Sequence, residues 1–125
     1  MKKTIFALLL IGFCANAKAD TYQEYSNKAK ALVDGITSVA SSDLSCVSDS
    51  DCEAIESGSR SCGGPNRHII TSKNNIALAI LKDLIKLETS YESQMNAELG
   101  LMSICSFESP PSLKCQKNIC SESAR

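Results

Sequence analysis

The chain lacks Trp and holds only three Tyr and three Phe among 125 residues. So short a chain, so poor in aromatic rings, has little from which to build a carbohydrate cleft. Basic residues number 13 and acidic residues 14, a net charge of −1. That balance, with no basic cluster, excludes a broadly basic nucleic-acid binder. No stretch reaches the roughly 18 consecutive apolar residues of a membrane-spanning helix. His68 is the one histidine, so any Ser–His–acid triad would have to use it. It stands between Asn66-Arg67 and Ile69-Ile70, in no nucleophile or base motif. Gly-x-Ser-x-Gly, Ser-x-x-Lys and Cys-x-x-Cys are absent. With them go the usual signatures of serine hydrolases and thioredoxin-like redox proteins. The expectation is a protein without catalytic activity, catalytic residues or cofactor.

What is present begins with an address. Met1-Lys2-Lys3 is basic, Ile5 to Cys14 is apolar, and Ala17-Lys18-Ala19 is a small-x-small cleavage pattern. Residues 1–19 therefore read as a signal peptide of bacterial type, which predicts a periplasmic or secreted protein. Ala15-Asn16-Ala17 offers a second cut. Lipid attachment at Cys14 is rejected because bulky Phe13 precedes it. Removal of residues 1–19 leaves ten basic residues against fourteen acidic, a net charge of −4. Nothing left is suited to membrane insertion.

Cleavage also turns seven cysteines into six: Cys46, Cys52, Cys62, Cys105, Cys115 and Cys120. An even count in an exported chain of this size reads as three disulfides. Six cysteines allow 15 connectivities, and spacing does not choose among them. The gap from Cys62 to Cys105 requires some bridge to straddle the segment between them.

That segment has the strongest helical period of the chain. From Ser72, a candidate cap, to about Glu98, one face collects Ala77, Ile80, Leu81, Leu84, Leu87, Tyr91 and Met95. Gly100 suits its C-terminal cap. An earlier amphipathic helix is expected from Thr21 to about Ala40, with Thr21 and Glu24 as a capping box. Cys52 to Ile55 reads as a short strand after an Asp49-Ser50-Asp51 turn. Gly63-Gly64-Pro65 signals a sharp turn. Leu113 to Ser121 reads as a hairpin with Lys117-Asn118 at its tip and a cysteine in each arm. The predicted fold class is therefore α+β: a small disulfide-rich domain of two main helices and a short cysteine-containing β-hairpin region. Residues 20–45 supply the N-terminal helix, which packs on a six-cysteine region, 46–125, as one domain.

Three constellations could bind something. Cys46, Cys52, Cys62 and His68 have the wrong spacing for a zinc finger, and export favours disulfides, so no metal site is expected. Asp43, Asp49, Asp51 and Glu53 could offer oxygen ligands to calcium, but the Gly and Glu of a twelve-residue calcium loop are missing. A solvated acidic loop is the simpler reading. The third is Gly58-Ser59-Arg60-Ser61-Cys62-Gly63-Gly64-Pro65, which sets an Arg–Ser bond beside a cysteine. A disulfide-braced loop loses little entropy on binding, and an Arg60 side chain would suit the acidic pocket of a trypsin-like protease. Arg60, Ser61, Gly63, Gly64, Pro65 and Arg67 are the candidate binding residues.

Around this segment the chain resembles a loose group of small exported bacterial six-cysteine proteins with a Cys-Gly-Gly-Pro turn. The matching stretches are Cys46 to Cys52, Cys62 to Pro65, the helix after Ser72, Gly100 to Cys105, and Pro110 to Cys120. His68 stands near where that group carries an aromatic. The resemblance implies a disulfide-linked extracytoplasmic fold and no particular activity. The functional expectation is an exported binding protein whose partner is another protein. A serine-protease inhibitor presenting Arg60-Ser61 is the alternative. The intact mass of the exported chain is expected to equal residues 20–125 less six hydrogens. A rise of six hydrogens on reduction would verify the three bridges.

Overall fold

The computed structural model describes residues 17–106 and 108–124, with side chains from residue 21 onward. Most of the expected signal peptide, residues 1–16, lies outside them. Helix α1 spans Ala17–Ser41. It thus begins before the expected cleavage point, and Thr21 lies inside it rather than at a cap. A single 3-10 turn, Asp49–Asp51, leads into strand β1, Cys52–Ser57. Strand β2, Arg67–Ser72, pairs antiparallel with β1 from Cys52↔Ser72 to Ser57↔Arg67. Helix α2 spans Leu78–Leu99, and strands β3, Leu113–Gln116, and β4, Ile119–Glu122, close the chain as a second hairpin. The α+β class with two helices and disulfide-linked hairpins is as the sequence predicts.

Two further features differ from that prediction. Helix α2 starts at Leu78, not at Ser72. Ser72 is spent as the last residue of β2, opposite Cys52, and its hydroxyl donates to the Ser45 carbonyl at 2.5 Å. The turn into the helix is made instead by Asn75, whose side-chain oxygen accepts the Ala77 amide at 2.9 Å. The second difference is β2 itself, a strand that the sequence pattern does not predict. Its Ile69 and Thr71 face inward and are buried. The C-terminal hairpin is as expected: Lys117 and Asn118 take φ of 51° and 60°, the left-handed pair of a tight two-residue turn. Gly100 likewise takes the left-handed C-cap conformation, φ 59°.

The two helices run antiparallel. Tyr25 near the start of α1 packs against Tyr91 in a tilted ring pair, centroids 5.2 Å apart, and donates to Glu98, near the end of α2. That carboxylate pushes the Tyr25 hydroxyl pKa up to about 12. At the other end Ile36, Ala40, Ile69, Leu81 and Ile85 form the aliphatic core between α1, β2 and α2. A second buried cluster is made of cysteines: Cys46, Cys52 and Cys120, with Leu44, Ile70 and Leu113 packed against them.

The disulfides are Cys46–Cys115 and Cys52–Cys120, spanning 69 and 68 residues. One ties the segment before the β1–β2 hairpin, and the other the first residue of β1, to the hairpin after α2. Residues 44–46 also hydrogen-bond along β4, through Cys120 to Leu44 at 2.8 Å and Cys46 to Asn118 at 3.1 Å. The third expected disulfide is not formed. Cys62 and Cys105 are free and exposed. Closing loops this long stabilises by about 4 kcal/mol each in the chain-entropy model. Replacing Cys52 and Cys120 together by Ala is expected to lower unfolding stability by about 2–5 kcal/mol. Urea unfolding under non-reducing conditions measures this. Amide exchange over 113–122 should accelerate at the same time, since β3–β4 loses an anchor.

Candidate functional site

The buried face of α2 runs Leu81, Ile85, Glu88, Glu92 at helical spacing. Its upper half is aliphatic and packs in the core. Its lower half consists of two glutamates, Glu88 fully buried and Glu92 nearly so. A buried carboxylate requires a partner, and the β1–β2 hairpin supplies several. Arg67, at the start of β2, donates to Glu88 and, at 3.1 Å, to Glu92. Ser57, at the end of β1, donates to Glu88 at 2.6 Å. Burial pushes the Glu88 carboxyl above its ordinary range, more than Ser57 and Arg67 lower it. Burial is also the largest influence on Glu92. There the Ser59 amide, Arg67 and Asn66 together outweigh it and hold the carboxyl below its ordinary range.

One of these carboxylates, with neighbours on α2, also anchors the loop that joins β1 to β2, residues 58–66. Glu92 accepts the Ser59 amide at 2.8 Å and the Asn66 side chain. Thr89 accepts the Gly58 amide at 3.0 Å, and Asn96 donates to the Ser59 carbonyl at 2.8 Å. Gly58 sits at φ +82°, and a Cβ there would lie 2.5 Å from the Glu92 carboxylate. Only glycine permits this approach.

Above its base the loop folds into a tight turn. The Arg60 amide donates to the Gly64 carbonyl, and the Gly63 amide to the Arg60 carbonyl, both at 3.0 Å. The turn is then stitched to the segment after α2. Arg60 donates through its guanidinium to the Ser106 carbonyl, with the Ser106 hydroxyl at 3.3 Å. Ser61 donates to the Ser103 hydroxyl at 2.9 Å. The Cys62 sulfur lies 3.5 Å from that same hydroxyl. The neighbouring Cys105 thiol, Ser103 and the Arg60 charge together make Cys62 more acidic than an ordinary thiol. The partner effect raises Cys105. Beside this junction Met102 and Ile104 are 96% and 83% exposed.

Of the residues singled out in the sequence, Arg60, Ser61, Gly63, Gly64 and Pro65 do share one loop. Arg67 does not belong with them as a contact residue. Its guanidinium turns inward to the two glutamates, because buried carboxylates outcompete solvent for it. Glu88 and Glu92 were missed because a charged residue is read as solvent-facing. Their signal was positional, since they continue the spacing begun by Leu81 and Ile85.

The other candidates disperse. Cys46 and Cys52 are oxidised into disulfides with different partners, so the zinc set does not assemble. The acidic residues each serve a separate partner. Asp43 accepts the Ser45 amide, Asp51 the Val47 and Ser48 amides, and Asp49 the Cys115 amide, while Glu53 pairs with Lys82. They act as turn braces, not as one cation site. His68 lies in β2 opposite Glu56, not in a loop, and its Nε2 is buried without a hydrogen-bond partner. A shallow depression of about 660 Å³ between β1 and α2, bordered by Ile55, Lys82 and Thr89, is too open to enclose a small ligand. No protein-family profile, curated protein or solved structure matches the chain.

Arg67→Met leaves two carboxylates buried and facing each other. The expected loss of stability is about 3–5 kcal/mol at pH 7. Without the guanidinium, folded-state carboxyl pKa values rise above the unfolded value of about 4.3. The native state then holds more protons than the unfolded one, so the variant loses stability as pH rises through that window. Near pH 4 the deficit against wild type should shrink. Denaturant unfolding at the two pH values decides it, and an equal deficit at both would refute the charge explanation.

Proposed function

We propose that the protein is an exported, non-catalytic interaction protein whose contact face is the 58–66 loop together with the 101–106 segment. The single observation that carries this reading is the buried Arg67–Glu88–Glu92 network beneath an exposed loop. Buried ion pairs stabilise a fold little compared with apolar packing, but they impose one geometry. Here that geometry is the loop's. A loop held in place before encounter gives up less entropy on binding. Met102 and Ile104 add exposed apolar surface beside it, of the kind interface cores use. Export rests on the N-terminal sequence pattern and agrees with the two disulfides, which persist in oxidising compartments.

The protease-inhibitor reading comes second. It is favoured by the Arg60-Ser61 bond lying on this braced turn. Against it, the Arg60 guanidinium is engaged with Ser106 and would have to leave to enter a protease pocket.

Two measurements test these readings. A photo-cross-linking residue placed at Met102 or Ile104 in the exporting host should give a discrete protein adduct, and one at the equally exposed Ile76 should not. Equal labelling at all three positions would sink the proposed face. Against a panel of trypsin-like proteases the expected result is no inhibition. Tight inhibition abolished by Arg60→Ala would install the second reading instead.

A further inference from the structure

The six cysteines left after cleavage do not share one environment. Four are paired, and Cys46, Cys52 and Cys120 among them are buried. Cys62 and Cys105 are the free pair, and both are exposed. They come from distant parts of the chain, one in the β1–β2 loop and one after α2, yet both sulfurs lie against Ser103, Cys62 at 3.5 Å from its hydroxyl and Cys105 at 3.8 Å from its carbonyl. The approach to Cys62 is open. Residues 61–64 are all exposed, Gly63 and Gly64 carry no side chains, and a Cβ at Gly63 would meet nothing within 4 Å. The Cys62 sulfur has Ser103 at 3.5 Å and the Arg60 charge nearby, both favouring a thiolate. The Cys105 thiol donates to the Ser103 carbonyl at 3.8 Å, an acceptor that favours the protonated thiol. The two sulfurs therefore differ in role: one exposed sulfur set up as thiolate, and a second within its reach.

We propose that Cys62 and Cys105 form a thiol–disulfide exchange site, with Cys62 as attacking sulfur and Cys105 as resolving sulfur, acting on accessible disulfides. In the first step the Cys62 thiolate attacks a substrate R–S–S–R′. The S–S bond breaks, a Cys62–S–S–R mixed disulfide forms, and R′S⁻ leaves and takes a proton. In the second step Cys105 loses its proton to solvent and attacks the Cys62 sulfur. The Cys62–Cys105 bond forms, and RS⁻ leaves and is protonated. The substrate disulfide is reduced to two thiols and the protein dithiol is oxidised to its third disulfide. The reverse reaction delivers that disulfide to a dithiol. The site lies on the proposed contact face and adds a redox step to a protein read above as non-catalytic; the exchange needs no protein held at Met102 or Ile104.

The test uses the full exported chain with oxidised glutathione as the disulfide, followed by alkylation and peptide mass mapping. Wild-type protein carrying free Cys62 and Cys105 should become lighter by two hydrogens and keep no glutathione. Cys105→Ser should retain one glutathione, on Cys62. Cys62→Ser should acquire glutathione on Cys105 at least about tenfold more slowly. A wild-type reading guards against misfolded variants: in graded reductant the Cys62–Cys105 bond should open before Cys46–Cys115 and Cys52–Cys120. Stable glutathione on both cysteines of the wild type would overturn the proposal. So would faster attack by Cys105, or reduction of the buried bridges first. None of these outcomes depends on cross-linking at Met102, so the exchange site and the contact face can fail separately.

Discussion

Two long-range disulfides stand where a larger protein would have more apolar core. Among the described residues the aliphatic core has five buried members, Ile36, Ala40, Ile69, Leu81 and Ile85. A domain of this size buries only a moderate share of its surface, and so few aliphatic side chains leave little margin over chain entropy. The second cluster is centred on Cys46, Cys52 and Cys120. Its two covalent links reduce the entropy of the unfolded chain and hold the β3–β4 hairpin against residues 44–52. Without them that hairpin would be a four-residue ladder with hardly any apolar face of its own, below what is stable in water.

The other specialised feature sits at the far end of the β1–β2 hairpin. There α2 turns two glutamates inward, and the hairpin answers with Arg67, Ser57 and the amides of its own loop. The arrangement is costly to assemble, because each charge must be desolvated. Its result is conformational: residues 58–66 are held to α2 through backbone and side chain alike. The close approach at Gly58 belongs to the same construction, since the Glu92 carboxylate occupies the space a side chain would need. The turn above it and the 101–106 segment then meet in hydrogen bonds made by Arg60 and Ser61. One end of the molecule is thus rigid by disulfide and the other by buried charge. The exposed Met102, Ile104, Cys62 and Cys105 all lie at the second end.

Much of the fold was legible because local signals agree with the final structure. Helices α1 and α2 follow from apolar spacing, the Lys117-Asn118 tip from turn chemistry, and the Gly100 stop from its tolerance of positive φ. Strand β2 was not legible. Its sequence Arg67-His68-Ile69-Ile70-Thr71-Ser72 has apolar residues only at its centre, and it is specified by pairing with β1. The start of α2 was misplaced for the same reason, because Ser72 satisfies cap and strand equally well until its partner strand is known. On α2, Ile80 and Leu87 read as core yet are 61% and 56% exposed, while Glu88 and Glu92 read as surface yet are buried.

By itself the sequence determined the class of the molecule: two helices, cysteine-bearing hairpin regions, and enough cysteines for a disulfide-linked domain. These properties are local or compositional, so periodicity, turn residues and a count of cysteines suffice to read them. The pairing of the cysteines, the inward turn of Arg67 and the meeting of Cys62 with Cys105 were decided by tertiary structure alone. Each depends on which segments separated by 20 to 70 residues become neighbours. Sulfur and charge chemistry act over a few ångströms in space, and spacing along a chain carries no record of that distance.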